Sequence, residues 1–402
     1  MNMNKSEIEE YLKDFQKKEL PILIRRSLEI ASTNKIITII GPRRAGKTYF
    51  LYEQMEDLLK KGIKKESIVY LNFEEPRLIG ITFKEIRDII KLQWEIYPES
   101  IKNKLYIFID EPQNVKNWEI AVRGLNDEGF KIFLTGSSSK LLSKEIATSL
   151  RGRTLSYLLL PFSFNEFIKA RNLDLDIKKL SSQEKSLLLN AINDYTEFGG
   201  FPEVVLENDK ETKLKILNEY LNLVIYRDVI DRYNIRNSSL VKWLIKSLLS
   251  SFAKEFSVNK LYLSLKSQGI NLSKNTLYSY ISILEDSNFV FMLQKFNYSI
   301  RKRELGISKA YLADIGFEKI GENSKDIGRK IENIVFLELV KGDKDEQELF
   351  YWKNQQQEEV DFVVKENNAV KELIQVCYDI KDNETKKRET RALLKAGKEL
   401  TN

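Results

Sequence analysis

Gly41, Gly46, Lys47 and Thr48 stand in the stretch GPRRAGKT at the spacing G-x-x-x-x-G-K-[ST]. Glycines at those two places let the backbone curl so that successive N–H groups turn inward on a polyphosphate. The loop from Gly41 through Pro42, Arg43, Arg44 and Ala45 to Gly46, with Lys47, Thr48 and Tyr49 behind it, would hold ATP. The Lys47 ammonium would neutralise the β- and γ-phosphates, and the Thr48 hydroxyl would hold Mg²⁺. A second acidic site is needed, and KLYIFIDEPQN supplies Asp110 and Glu111 after an apolar run. Asp110 would hold the Mg²⁺ water shell, and Glu111 would orient or deprotonate the attacking water. Two acids at the end of a buried strand are costly without a cation, which argues against a merely structural pair.

The elements around these residues have the right periods. KIITII (35–40) is a β-branched run suited to a buried strand, and KTYFLYEQMEDLLKKG places Phe50, Leu51, Met55, Leu58 and Leu59 at helical spacing before Gly62. That helix would point its N-terminus, and the positive end of its dipole, at the phosphates. SIVYLNF (67–73), the run ending at Asp110, FKIFLTGSSS (130–139) and TLSYLLL (154–160) complete a five-strand pattern alternating with helices, an α/β architecture. At the end of the fourth strand Thr135, Ser137 or Ser138 could hydrogen-bond the γ-phosphate or the water, or simply make a polar turn. Arg151 or Arg153, before the fifth strand, could reach the γ-phosphate of the same or a neighbouring subunit, or pair on the surface.

Composition excludes several chemistries. The 402 residues hold no histidine, which removes Ser-His hydrolases, histidine general bases and histidine-ligated metals. The single cysteine, Cys377, permits neither an internal disulfide nor a Cys-only zinc site. No apolar run approaches a membrane span and the N-terminus is charged throughout, so the expectation is a cytoplasmic, soluble protein with no membrane partner. Net charge is +6, unevenly placed: between Arg236 and Ala310, twelve Lys/Arg stand against four Asp/Glu. Such a segment suggests a polyanion, most simply nucleic acid, or a Lys-rich solvated surface.

The strand and phosphate loop, the DE pair, LTGSSSKLL and RGRTLSYLLLPFSFNEF together resemble the P-loop ATPases of the AAA+/STAND neighbourhood. The closest likeness is to an archaeal and bacterial group with a C-terminal domain of unknown function. The resemblance covers nearly the whole chain. It implies a five-stranded parallel sheet with the fourth strand lying between the phosphate-loop strand and the acidic strand. In YTEFGGFPEVVL (195–206), Gly200-Phe201-Pro202 resembles the G-x-P motif of STAND ATPases, which would bring Pro202 near the nucleotide base. A helix-breaking turn is the alternative.

From about Ser238 the pattern becomes short helices. Ser257 and Ser273 are plausible N-caps, and the helix opened by Ser273 turns Leu277, Ile281 and Leu284 to one face. Its other face offers Lys274, Asn275, Tyr278 and Ser279, and a following hairpin carries Arg301, Lys302 and Arg303 at its tip. Three helices and a basic hairpin resemble a winged helix-turn-helix, which implies contact with double-stranded DNA or, alternatively, a protein partner. Farther on, Glu332, Asp361 and Gln375 on helix, strand and strand resemble the PD-(D/E)xK nuclease fold. Where that fold expects acid-x-Lys, this chain reads Gln375-Val376-Cys377, so the implied fold has lost cleavage unless Lys365 or Lys371 migrates into the role.

The expected organisation is an N-terminal helical extension (1–20), a P-loop ATPase core (21–170), a helical lid (171–235) entered through a polar linker (171–185), a winged helix-turn-helix (236–314) and a nuclease-like α/β module (315–402) that reads as truncated. The expected function is an ATP-hydrolysing switch associated with DNA. The alternatives are an ATP-regulated, Mg²⁺-dependent nuclease and an ATP-binding scaffold that holds a protein partner or a second copy of itself.

Overall fold

The structure, a computed structural model, describes residues 4–136, 150, 152–173, 179–321, 326–341, 347–367, 369–379 and 382–400. The chain divides into two compact units, Met1–Leu159 and Leu160–Asn402.

The first unit is a three-layer α/β sandwich. Its strands are β1 (Ile36–Ile40), β2 (Ile68–Asn72), β3 (Tyr106–Asp110), β4 (Lys131–Gly136) and β5 (Thr154–Leu158). All pair in parallel, in the order β2-β3-β4-β1-β5. The fourth strand therefore lies between β1 and β3, as the resemblance implied. Strand residues alternate between two apolar faces because side chains of a strand point to opposite sides. Ile36, Val69, Leu71, Ile107, Ile109, Ile132 and Leu134 pack under helices α1 (Lys5–Lys17), α3 (Phe83–Ile96) and α4 (Trp118–Asp127). On the opposite face Ile37, Ile39, Ile68, Tyr70 and Phe108 meet Phe50, Leu51 and Met55 of α2 (Lys47–Lys60). With both faces covered, the C-terminal edge of the sheet is where polar side chains can gather.

The second unit begins with α5 (Phe164–Ala170), α6 (Ser182–Phe198), α7 (Pro202–Leu206) and α8 (Lys210–Leu223), the last running into a π-helical stretch, Val224–Asp231. Next come α9 (Ser238–Ser250), β6 (Lys254–Phe256), α10 (Val258–Ser267), α11 (Lys274–Asp286), β7 (Val290–Leu293), a short α12 (Ile300–Glu304) and β8 (Ser308–Leu312). These three strands form an antiparallel sheet in the order β6-β8-β7. Ser257 and Ser273 do cap their helices, accepting from the N–H groups of Lys260 and Thr276. Strand β6 has no counterpart in the sequence reading, because three residues are too few to show a period.

The unit ends with α13 (Gly316–Ile320), α14 (Ile327–Lys341), β9 (Gln347–Lys353), β10 (Glu359–Glu366), β11 (Ala369–Ile374) and α15 (Asn383–Leu400). The last three strands make an antiparallel sheet, β11-β10-β9, whose core of Phe350, Trp352, Val360 and Val363 is closed by Ala392, Ala396 and Leu400 of α15. Among the described residues no helix is long and apolar enough to cross a membrane.

Candidate functional site

At the C-terminal end of β1 the chain turns through Gly41–Ala45 and enters α2. Gly46 caps that helix at φ 95, a left-handed conformation open to glycine at no steric cost. Gly41 lies so close to β5 that a Cβ there would stand 2.0 Å from the Leu159 carbonyl oxygen. The Arg26 guanidinium supports the turn from behind by donating to the Ala45 carbonyl at 3.0 Å. The Lys47 ammonium is buried and donates to the carbonyls of Gly41 (3.0 Å) and Pro42 (2.9 Å), so it lies inside the loop it belongs to. Arg43 reaches Glu74 at 3.4 Å, and Tyr49 is exposed on the outer face of α2.

Asp110, last residue of β3, faces this loop and collects three hydroxyl donors. Thr48 donates to Oδ2 at 2.6 Å, Tyr70 from β2 to the same oxygen at 3.2 Å, and Thr135 from β4 to Oδ1. Parallel pairing explains the gathering, since Asn72, Asp110 and Thr135 are register partners along one sheet edge. Glu111 follows in a left-handed turn (φ 53), buried, with the Gln113 amide donating to Oε2. Burial raises its carboxyl above the ordinary glutamate value, with the Lys47 charge opposing and Asp110 adding to the rise. Burial likewise raises the Tyr70 phenol, so it remains a donor to Asp110. An ammonium, a hydroxyl, a carboxylate that has lost its solvent, and a second carboxylate beside it form a donor set that fits a Mg²⁺-bound nucleotide.

Ser137, Ser138 and Arg151 lie outside the described residues. Arg153 precedes β5, at the edge of the sheet opposite the phosphate loop: its carbonyl accepts from Ile36 at the start of β1, and its guanidinium pairs with Asp127. Five residues of strand separate the two edges, on the order of 16 Å, so Arg153 cannot serve the loop of its own chain. Pro202 opens α7 in the second unit. The turn before it is held by Asp314, whose carboxylate accepts from the N–H groups of Gly200 and Gly316, both at 2.8 Å. Burial pushes the Asp314 carboxyl up to about 7 against those two hydrogen bonds. Nothing in the sequence singled out Asp314 or Tyr70.

On α11, Lys274, Asn275, Tyr278 and Ser279 form an exposed face, while Leu277, Ile281 and Leu284 are buried. Arg301 and Lys302 are exposed on α12. Arg303 is a correction: it pairs with Glu348 at 3.4 Å and lies 5.1 Å over the Phe350 ring, so it binds the C-terminal module and is not presented to a ligand.

Glu332 and Asp361 are brought together around one ammonium, and the Gln375 side chain is held by other partners beside them. Its carbonyl accepts from the Asp361 N–H at 3.3 Å, and its amide donates to Glu389 at 2.7 Å. Lys365 pairs with Glu348 and Lys371 with Glu366, so neither enters the cluster. The lysine that does enter is Lys309 of β8. Its ammonium stands 2.9 Å from Glu332, 2.5 Å from Glu359 and 3.2 Å from Asp361. A divalent cation does not fit there without expelling it, and no described group of three or more Cys, Asp or Glu is arranged for one. The only early sign of Lys309 is one charge inside the otherwise uncharged strand SKAYL.

Among known families, residues 33–168 match an AAA domain, residues 189–319 a domain of unknown function (DUF8612) and residues 327–401 a domain of unknown function (DUF4143). The uncharacterized protein MJ1544 of Methanocaldococcus jannaschii is 44% identical over 381 residues, 94% of this chain and 82% of that protein. An uncharacterized protein of Haemophilus influenzae is 29% identical over 372 residues, 90% of this chain and 86% of that one. Of the solved structures, the Aeropyrum pernix ORC1 protein in complex with DNA is similar with a TM-score of 0.32 at 12% identity, over 84% of this chain and 93% of that chain. CDC6P from Pyrobaculum aerophilum is similar with a TM-score of 0.30 at 15% identity, over 76% and 87%. Scores this low carry no argument.

Proposed function

The chain belongs to the family of MJ1544 and carries an AAA-type P-loop ATPase domain, and from that premise we propose that it is an ATP-hydrolysing switch whose output acts on double-stranded DNA. The observation that carries the ATP half is the Asp110 carboxylate, held by Thr48, Tyr70 and Thr135 beside Lys47 and Glu111. Thr48 and Asp110 would hold Mg²⁺, which when bound supplies charge neutralisation on the phosphate oxygens. Lys47 adds a positive charge that is already inside the loop, where its ammonium donates to two loop carbonyls. Glu111, its affinity for a proton raised by burial, accepts the proton of the attacking water at its carboxylate. Pro202 and the α6–α8 helices serve as the lid in this reading. An arginine contribution by Arg153 requires a neighbouring copy.

The DNA half is supported by the second unit. The order helix, strand, helix, helix and hairpin with a β6-β8-β7 sheet supports reading this segment as a winged helix, in which α11 would be the recognition helix. Its exposed Lys274, Asn275, Tyr278 and Ser279, with exposed Lys260, Lys266, Arg301 and Lys302, offer base-edge donors and phosphate contacts. The test is Lys47→Ala, assayed for ATP binding, phosphate release and nucleotide-dependent affinity for duplex DNA. The proposal predicts that all three fall. ATP binding and turnover equal to the unsubstituted protein would end the ATP reading, and duplex affinity indifferent to nucleotide would end the switch.

A further inference from the structure

We infer that the Lys309 ammonium is the resident cation of the C-terminal carboxylate cluster, standing where a divalent metal would have to bind, and that the cluster fastens two sheets together instead of cutting nucleic acid. The inference concerns the second unit alone and stands or falls independently of the ATP reading.

The geometry is that of a filled site. An ammonium has three N–H donors, and three carboxylates lie within reach of this one, Glu332 from α14 and Glu359 and Asp361 from β10. Two of these contacts are hydrogen bonds, to Glu332 and Asp361, and Glu359 completes the ring of negative charge around the ammonium. The Lys309 side chain is 2% exposed. A Mg²⁺ ion needs oxygens at about 2.0–2.1 Å in near-octahedral array. To admit one, the carboxylates would have to close in by roughly an ångström and the buried lysine would have to leave. Other donors hold the carboxylates as well. Asp361 Oδ2 accepts from the Val376 N–H at 2.9 Å, Glu359 Oε2 pairs with Lys353 at 3.3 Å, and the Tyr311 hydroxyl donates at 2.7 Å to Oε1 of Glu332, the oxygen that Lys309 also reaches. The Gln375 carbonyl, which the nuclease resemblance would offer to the metal, is spent on the Asp361 N–H.

The charges agree with the geometry. Burial works against the Lys309 ammonium, and Glu332, Asp361 and Glu359 more than offset it, holding its pKa above the ordinary lysine value. Burial, together with the crowding of carboxylates, raises Glu332 and Asp361, and the Lys309 charge opposes that rise in both.

The position of Lys309 also gives the cluster its role. Strand β8 belongs to the sheet with β6 and β7, while the carboxylates belong to α14 and β10 of the next module. Along the same strand Tyr311 stacks on Phe336 of α14 at 4.2 Å, and the Leu312 backbone pairs in both directions with the Asn333 amide at 2.8 and 2.9 Å. Strand β8 is thus held by the C-terminal module on alternate side chains and on its backbone. The module that resembles a nuclease works here as a brace on the β6-β8-β7 sheet.

The experiment uses the full chain with Asp110→Asn, which removes the carboxylate expected to hold metal in the ATP site. Mn²⁺ is titrated and free Mn²⁺ read by electron paramagnetic resonance, with and without Asp361→Asn. With Lys309 intact, no Asp361-dependent site is expected up to millimolar Mn²⁺. Lys309→Met in the same background is expected to gain one such site, lost again on adding Asp361→Asn, and to melt at a lower temperature. Asp361-dependent Mn²⁺ binding, or Mn²⁺-dependent nicking of plasmid DNA, with Lys309 intact would overturn the inference. So would a folded Lys309→Met protein that gains no site. If Lys309→Met does not fold, the titration with Lys309 intact decides by itself.

Discussion

Glu111→Gln tests the catalytic reading most sharply, because it keeps the shape of the side chain and removes only its basicity. The Gln113 amide can still donate to a carbonyl oxygen at position 111, and Lys47, Thr48 and Asp110 keep their contacts. General-base catalysis contributes about 10²- to 10⁴-fold in rate, which is about 2.7–5.4 kcal/mol of barrier. Single-turnover phosphate release should therefore fall by at least about a hundredfold, while the affinity for a fluorescent ATP analogue changes by less than about threefold, within roughly 0.7 kcal/mol. The pH profile gives a second reading. The carboxyl must be ionised to act, so kcat/KM of the unsubstituted protein should fall as pH drops through the raised Glu111 value, above the ordinary 4.5, and the Gln variant should lose that limb. Stability should move the other way. A carboxyl raised in the folded state binds its proton more tightly there than when unfolded, so folding weakens as pH rises from 4.5 through the folded value. Glu111→Gln removes that penalty and should raise the melting temperature at neutral pH. A rate loss under tenfold, or an acid limb centred at or below 4.5, would refute the assignment.

Three further outcomes are expected. A Cβ at Gly200 would stand 2.2 Å from the Phe162 carbonyl oxygen, so Gly200→Ala should cost about 1–3 kcal/mol in urea denaturation, and an unchanged midpoint would count against the close packing. Asp314, raised by burial from 3.8 to about 7, should make stability fall as pH rises between those values, by at most about 1.4 kcal/mol per unit; parallel pH series for the unsubstituted protein and Asp314→Asn would exclude it. Lys274→Ala should reduce the salt dependence of duplex binding by about one unit of log–log slope, whereas Arg303→Ala should leave the slope alone and lower the melting temperature; equal effects on slope would place both on DNA.

What was legible in the sequence is local. Ile36–Ile40, the loop to Thr48 and helix Lys47–Lys60 could be read directly, because a buried parallel strand, a glycine turn and an amphipathic helix each leave their mark within a few residues. The caps at Ser257 and Ser273 were legible for the same reason, a side chain bonding three residues ahead. The acidic pair was legible because charge at the end of an apolar run is unusual enough to need a cause.

What the tertiary structure decided is which distant residues meet. Tyr70 reaches Asp110 only because β2 and β3 pair in a register that no spacing records. For Arg153 the sequence left open a γ-phosphate of the same or a neighbouring subunit or a surface pair, and the fold sets it beside Asp127, because a strand's entry and exit lie on opposite edges of the sheet. Lys309 lies more than fifty residues from Asp361 along the chain, yet it is the lysine beside that carboxylate, while Lys365 and Lys371 pair with Glu348 and Glu366. The chain itself determined that a phosphate loop and an acidic pair would exist, since each is a short-range pattern of conformation and charge. Only the folded sheets decided that Asp110 would be held by three hydroxyls and that a buried ammonium would occupy the C-terminal carboxylates, since burial and pairing are properties of contacts and not of neighbours in sequence.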